Sequence, residues 1–333
     1  MNKYEAIHYL ADANAKSFYA FKDEERLMDY VADCGGASAE KVPFFSIRKS
    51  AGRGGYQVQP HNFGHHDNAP RMPFYCNFIT NHVLPNVGDE YDASGFYLIE
   101  LHDTHAYLPK SKVYDNAMVF AKECDDRKPC LVPDPFMVSN YGGRMQVKDT
   151  KPFGQKVPKI IFRGGTTGST EPKKNQRLKL CSWAVDNPIA DIGISNVVQM
   201  TEEVVRGAYP NFDRFLLPYT SQQQHYDYKY ILSVDGNTAS WDRLMWIANS
   251  QSLAMKYKSE HMLWYYPLFL EEQHYVNVTT DNMLKQFAFY ENNAAQAQLI
   301  IRNANKFAGE YANANAATMY MARLMEGVSL NAA

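Results

Sequence analysis

Long apolar runs are missing from this chain. Across its 333 residues no window approaches the roughly eighteen consecutive apolar residues of a membrane helix, and the run Met262–Leu270 is short and interrupted by Pro267. The start, MNKYEAIHYLADANAKSFYAF, has no basic stretch followed by an apolar core, so no secretory signal is expected. A basic excess is also lacking. The formal net charge of −2 offers nothing to a phosphate backbone and argues against nucleic acid as a partner. Cysteines are few: Cys34, Cys76, Cys124, Cys130 and Cys181 are odd in number and scattered, which suits reduced thiols in a cytoplasmic protein. Spacing leaves a Cys124–Cys130 bridge open. No internal repeat stands out.

What is present describes a globular protein. Hydrophobic residues make up 45% and charged ones 21%, and the length suits two domains. The polar stretch VKDTKPFGQKVPK near residue 150 reads as the link, giving domains 1–150 and 151–333, with the last helices free to cross back to the first. The 23 tyrosines and 18 phenylalanines suit stacking on rings or sugars, although core packing accounts for most of them.

Helical spacing covers residues 1–33 and ends at Cys34-Gly35-Gly36. From Lys41 to Arg71 the chain is rich in Gly, His, Pro and Arg and reads as a mobile surface loop. Phe74–Leu84 reads as a helix. Phe96–Leu101 is a buried strand ending in His102-Asp103-Thr104-His105, polar residues where open α/β sheets carry functional groups. Lys159–Phe162 is a strand feeding the loop Arg163-Gly164-Gly165-Thr166-Thr167-Gly168-Ser169, with a helix from about Lys174.

The richest stretch is Tyr228–Thr279. Tyr230–Val234 is of strand length and stops at Asp235-Gly236; Asn237 to Ser240 offer oxygens for capping a helix. A strand, a glycine turn and a helix start would present free N–H groups to an anion, and Arg243 adds a fork of donors suited to phosphate. Ser252–Tyr257 and His274–Val278 read as further strands, and Ala/Asn-rich helices fill Asn282–Met325. Alternating strands and helices predict an α/β fold with mostly parallel sheets in two halves.

Three blocks in order resemble glycosyltransferase family 90, the capsule-associated and protein O-glucosyl/xylosyltransferase group. They are IIFRGGTTGS at 160–169 with Asn175 and Arg177 downstream, KYILSVDGNTASWDR at 229–243, and SEHMLWYYP followed by HYVNV within 259–278. FYLIELHDTHAYLP is a weaker fourth block. The resemblance implies a GT-B fold, two facing Rossmann-like domains with the donor held mainly by the C-terminal one. It also implies an inverting, metal-independent transfer from a UDP-sugar with no cofactor. One departure is that animal members carry an arginine where this chain has Asp242; here the arginine is Arg243, about 100° further round a helix.

On that resemblance, Asp103 is the candidate general base, with His102 and His105 beside it on the acceptor side. A turn aspartate capping the next segment is the plain alternative. Arg163, Arg177 and Arg243, with Gly164, Gly165, Thr166, Thr167, Asp235, Gly236, Asn237 and Ser240, are candidates for holding the diphosphate; for Arg177 a surface salt bridge is an equal alternative. Without a metal, the charge on a leaving UDP needs arginines, lysines or helix ends. Glu260 is the candidate for the ribose hydroxyls, with a solvated surface glutamate the equal alternative. His61, His65, His66 and Asp67 invite a metal reading, but no thiolate pair or HExxH helix accompanies them, so no metal site is expected. Trp264, Tyr265 and Tyr266 are core residues by default.

The expected function is therefore transfer of glucose or xylose from a UDP-sugar to a glycan, glycolipid or surface polysaccharide, in the cytoplasm of a bacterium or a virus's host. Peripheral membrane contact is compatible with that work. The alternative is a non-catalytic module of the same fold that binds nucleotide and glycan.

Overall fold

The computed structural model describes residues 2–34, 42–50, 55–64, 67–103, 112–125 and 128–330. Along the chain run α1 (Lys3–Ala15), α2 (Glu24–Asp33), β1 (Phe44–Lys49), β2 (Tyr56–His61), α3 (Arg71–Phe78), β3 (Gly95–Ile99), β4 (Ala117–Val119), β5 (Lys122–Glu123), β6 (Cys130–Leu131) and α4 (Pro135–Val138). There follow β7 (Val157–Gly165), α5 (Gln176–Ala184), β8 (Ala190–Asn196), α6 (Glu202–Ala208), α7 (Gln222–His225), β9 (Tyr228–Ser233), α8 (Arg243–Ala248), β10 (Leu253–Tyr257) and β11 (His261–Met262). The last elements are β12 (Val276–Val278), α9 (Met283–Asn292), α10 (Ala294–Tyr311) and α11 (Ala314–Leu330). The α/β class is as expected, and most strand pairings are parallel. Among the described residues no helix is long and apolar enough to cross a membrane.

The chain forms two units, one comprising Met1–Ser139, His261–Leu268 and Asn313–Ala333, the other Asn140–Glu260 and Phe269–Ala312. The first is built on a five-stranded sheet of order β2-β1-β3-β4-β6. Here the loop expected over residues 41–71 is corrected, because it contains the antiparallel pair β1–β2, with Ile47 opposite Val58. Phe44, Phe45 and Ile47 are buried, and β1 also pairs with β3. Burial against a strand fifty residues away outweighs the loop-like composition, while the glycines at 52, 54 and 55 fall between the two strands in sequence. His61 belongs to this pairing too: its Nε2 lies 3.0 Å from Ser46 Oγ and its ring stacks on Phe44 at 4.5 Å. His65 and His66 lie outside the described residues. Trp264 and Tyr265 are core, with Trp264 stacked on Tyr320 of α11 at 4.5 Å.

The second unit holds an all-parallel sheet of order β12-β10-β9-β7-β8. Helices cover both faces, so its strands read as near-continuous apolar runs. Ile160 and Phe162 of β7 join Leu178, Ile192, Leu232 and Met255 on one side, while Ile161 joins Tyr226, Ile231 and Trp246 on the other. The unit's first strand, β7, lies between its second, β8, and its third, β9. Connections therefore depart in opposite directions from the β7/β9 boundary, the switch point at which open sheets bind ligands.

One ion pair secures the chain's approach to this sheet. Lys156 Nζ donates to Asp149 Oδ2 at 2.7 Å and to Tyr226 O, and both charged side chains are buried. The same carboxylate oxygen accepts from Gln251 N at 2.7 Å. Removing the ammonium would leave an uncompensated buried carboxylate. Lys156→Met is expected to cost about 3–5 kcal/mol in urea unfolding, with part of that recovered in the double variant carrying Asp149→Asn.

Candidate functional site

The site begins with a fork in the sheet. β7 and β9 pair at Ile160–Tyr230 and Ile161–Ile231, and the ladder between them ends there. β7 goes on beside β8 as far as Gly165, opposite Asn196, while β9 goes on beside β10 to Ser233, opposite Lys256. Backbone carbonyls along the parting strands need other donors.

Two arginines supply them. Arg177, near the start of α5, donates from Nε to Asp235 O at 2.8 Å, from Nη2 to Val234 O at 3.0 Å and from Nη1 to Gly165 O at 3.0 Å. A further bond from Nη1 reaches Thr167 Oγ1. Arg243, the first residue of α8, donates from Nη1 to Arg163 O at 2.8 Å. One guanidinium thus joins the loop after β7 to the loop after β9, and a second caps the end of the ladder.

The loop after β7 is held from within. Asn175 caps α5 by accepting from Leu178 N at 3.1 Å, and its Nδ2 donates to Thr166 O at 2.9 Å and Ser169 O at 3.0 Å. Thr166 Oγ1 donates to Val198 O at 2.7 Å and accepts from Val198 N at 2.8 Å. Gly168 N donates to Asn237 Oδ1 at 3.0 Å and Gln199 Oε1 at 3.1 Å. The approach of the two loops demands glycine. A Cβ on Gly236 would lie 2.5 Å from Thr167 Oγ1 and 3.0 Å from Arg177 Nη2, and Gly168 has φ +120°.

The expected diphosphate residues separate into two groups. Arg177, Arg243, Gly164, Gly165, Thr166, Thr167, Asp235, Gly236, Asn237 and Ser240 gather around the fork. Arg163 projects to the opposite face of β7 from Phe162 and turns back to β8, where it donates to Asp191 O at 2.7 Å and to Asp191 Oδ1. Tyr228 donates to the same carboxylate. Asp191 lies opposite Ile161 and is the second residue of β8, towards the amino end of the strand and away from the carboxyl edge. Only the backbone of Arg163 reaches the fork.

The helix start expected at Asn237–Ser240 is corrected. α8 begins at Arg243 and is six residues long, and Asp242 before it makes no capping bond with its side chain. Asn237 spends its oxygen on Gly168 N, Ser240 Oγ donates to Val234 O at 3.0 Å, and Asp242 accepts from Arg144. Only the Ser240 bond is local; the other two reach segments distant in sequence, and together they occupy the side chains that would have capped a helix. Asp235 is buried and accepts from Ser259 Oγ, while Glu260 is exposed just beyond β10.

Charge is concentrated at the fork. Burial first, and Arg243 second, lower the basicity of Arg177 to about 9; burial, then Arg144, lower that of Arg243 to about 10. Both remain cations at neutral pH. Two partly dehydrated guanidiniums attract an anion more strongly than solvated ones would.

In the first unit, Asp103 follows β3 and is 30% exposed. Arg71, the first residue of α3, donates from Nη2 to Asp103 Oδ1 at 2.9 Å and from Nη1 to Leu101 O at 2.6 Å, fixing the carboxylate against its own turn. His102 Nδ1 lies 2.6 Å from Glu100 Oε1, and this hydrogen bond raises the imidazole pKa. His105 lies outside the described residues. Arg71 carries no signal in sequence, because its role depends on α3 meeting the end of β3. No group of three His, Cys, Asp or Glu side chains suited to a metal occurs among the described residues.

The chain belongs to glycosyl transferase family 90, whose pattern matches residues 138–329, a span that includes the whole fork and begins after Asp103. Among solved structures it is similar to the C-terminal domain of a glycosyl transferase group 1 family protein, LpcC, from Francisella tularensis. Identity there is 6%, over 55% of this chain and 96% of that one, with a TM-score of 0.32. It is also similar to TarM, at 11% identity over 80% of this chain and 61% of that one, with a TM-score of 0.41. No curated protein matches the sequence.

The arginines also bear on a neighbouring histidine. His225 is buried edge-on against Trp246 at 5.6 Å, with Nδ1 2.8 Å from Ser221 O. Burial first, then Arg243 and Arg163, push its pKa down to about 4. The unfolded chain, with a histidine pKa near 6.5, therefore binds more protons than the folded one between those values. The stability this histidine contributes is complete above about pH 6.5 and is lost as pH falls towards 4, by roughly 3 kcal/mol. Urea unfolding across that range should show a shallower pH slope in His225→Phe than in the wild type.

Proposed function

We propose that the protein is an inverting, metal-independent glycosyltransferase that moves a sugar, glucose or xylose, from a UDP-sugar to a hydroxyl of a glycan, glycolipid or surface polysaccharide. The observation that carries this reading is the fork between β7 and β9, where Arg177 and Arg243 come together beside two glycine loops at a switch point. When the bond from the anomeric carbon to the diphosphate breaks, negative charge grows on the β-phosphate. Fixed guanidiniums at that point lower the barrier, because they need no reorganisation as the charge develops. Gly164, Gly165 and Thr167 let backbone and hydroxyl groups approach the phosphates, while Thr166, buried with its hydroxyl spent on Val198, holds the loop in place. Glu260, exposed after β10, suits the ribose hydroxyls.

Asp103 is the base in this scheme. Its carboxylate takes the proton of the acceptor hydroxyl as that oxygen attacks the anomeric carbon from the side opposite the leaving UDP. Arg71 keeps the carboxylate in one orientation, and His102, held by Glu100, is its neighbour on the acceptor side.

Two variants test the division of labour. Asp103→Asn should lower kcat by about 10²–10⁴ while the dissociation constant for UDP, measured by calorimetry, stays unchanged. Activity within a few-fold of wild type would give the base role to another carboxylate. Loss of one charged hydrogen-bond donor, as in Arg243→Ala, should weaken UDP binding about 10- to 100-fold; unchanged binding would remove Arg243 from the donor site. Wild type that binds UDP and turns over no UDP-sugar would be the non-catalytic module. Exhaustive chelation should leave transfer intact.

A further inference from the structure

Phe162 lies on β7 directly before Arg163 and Gly164, and its side chain is buried with Ile160 and Leu178. The ring does more than fill the core. Arg243 Cζ is 4.9 Å from its centroid and Arg177 Cζ is 5.6 Å away. Its tip reaches under the first glycine of the loop: a Cβ on Gly164 would lie 2.9 Å from Phe162 Cζ and 3.3 Å from Arg177 Nη1. A cation within about 6 Å of an aromatic ring is attracted to it, enough to shift an equilibrium from about twofold to about 30-fold.

Two guanidiniums drawn towards one place repel each other; the carbonyls they serve and the neighbouring Asp235 carboxylate offset only part of that repulsion. A carboxylate between them would offset the rest and would then compete with any incoming phosphate. A ring offsets part of the repulsion through its quadrupole while carrying no net charge, which leaves both positive charges available to an anion. We propose that Phe162 is a positioning residue, its ring holding Arg177 and Arg243 together to receive the diphosphate of the donor. This rests on the fork being the donor site. It adds that the aromatic character of position 162, as well as its bulk, sets the affinity for the anion.

The test is calorimetric binding of inorganic pyrophosphate and of UDP to the full chain. Phe162→Leu keeps similar volume without the ring and should bind both about 5- to 30-fold more weakly. Replacing Phe162 by mono-, di- and trifluorinated phenylalanine keeps the shape while draining the ring of negative charge. Affinity for pyrophosphate should fall stepwise through that series with the unfolding midpoint steady, and the series decides the matter alone if Phe162→Leu does not fold. Equal affinities across the fluorinated series, with wild type binding normally, would reduce Phe162 to a packing residue and overturn the inference while leaving the donor site standing. Wild type that binds neither pyrophosphate nor UDP would remove both.

Discussion

Two central strands of a parallel sheet run side by side for part of their length and then separate. The carbonyls of Arg163, Gly165, Val234 and Asp235 beyond that point are served by guanidinium groups. A polar group left unpaired there would cost about 1–3 kcal/mol, so the fork has to be bridged for the unit to be stable. Bridging it with arginine instead of a neutral amide brings positive charge to the switch point of the sheet, where open α/β sheets commonly bind ligands. The atoms that stabilise the fork are therefore also the ones that carry its positive charge.

Much follows from that choice. Arg177 forms bonds in several directions at once, which a lysine's single ammonium could not reproduce at these positions. The bonds offset the cost of burying a charge, and the closeness they enforce explains why Gly236 must lack a side chain. Asn175 and Thr166 complete the arrangement by tying the first loop to α5 and to the end of β8. The loop is thus largely set before any ligand arrives.

The parts of this design visible in sequence are those with local causes. Runs such as KIIF and YKYILS, each stopped by a turn containing glycine, mark strands buried on both faces, and their alternation with helical segments indicates an α/β sheet. The β1–β2 pair stayed hidden because its composition favours loops and its stabilising partner, β3, is distant in the chain. The arginines show the same limit. Arg163 is adjacent to the glycines and Arg177 is twelve residues beyond Gly165, so proximity along the chain cannot tell which of the two sends its guanidinium to the fork. Side chains alternate across a strand, and that alternation turned Arg163 to Asp191 while a helix start brought Arg177 in. Asn237 and Ser240 looked like caps by residue type; which backbone groups they bond was decided by the loop across the fork.

Sequence by itself determined the class of fold, the two turns containing glycine and the supply of arginines around them, because apolar periodicity and glycine's conformational freedom act over a few residues. Only the tertiary structure decided which guanidiniums meet, which carbonyls they serve and that one aromatic ring lies against both. Those outcomes depend on where β7 and β9 part, and strands that are nearly seventy residues apart in sequence become neighbours only when the whole sheet has formed.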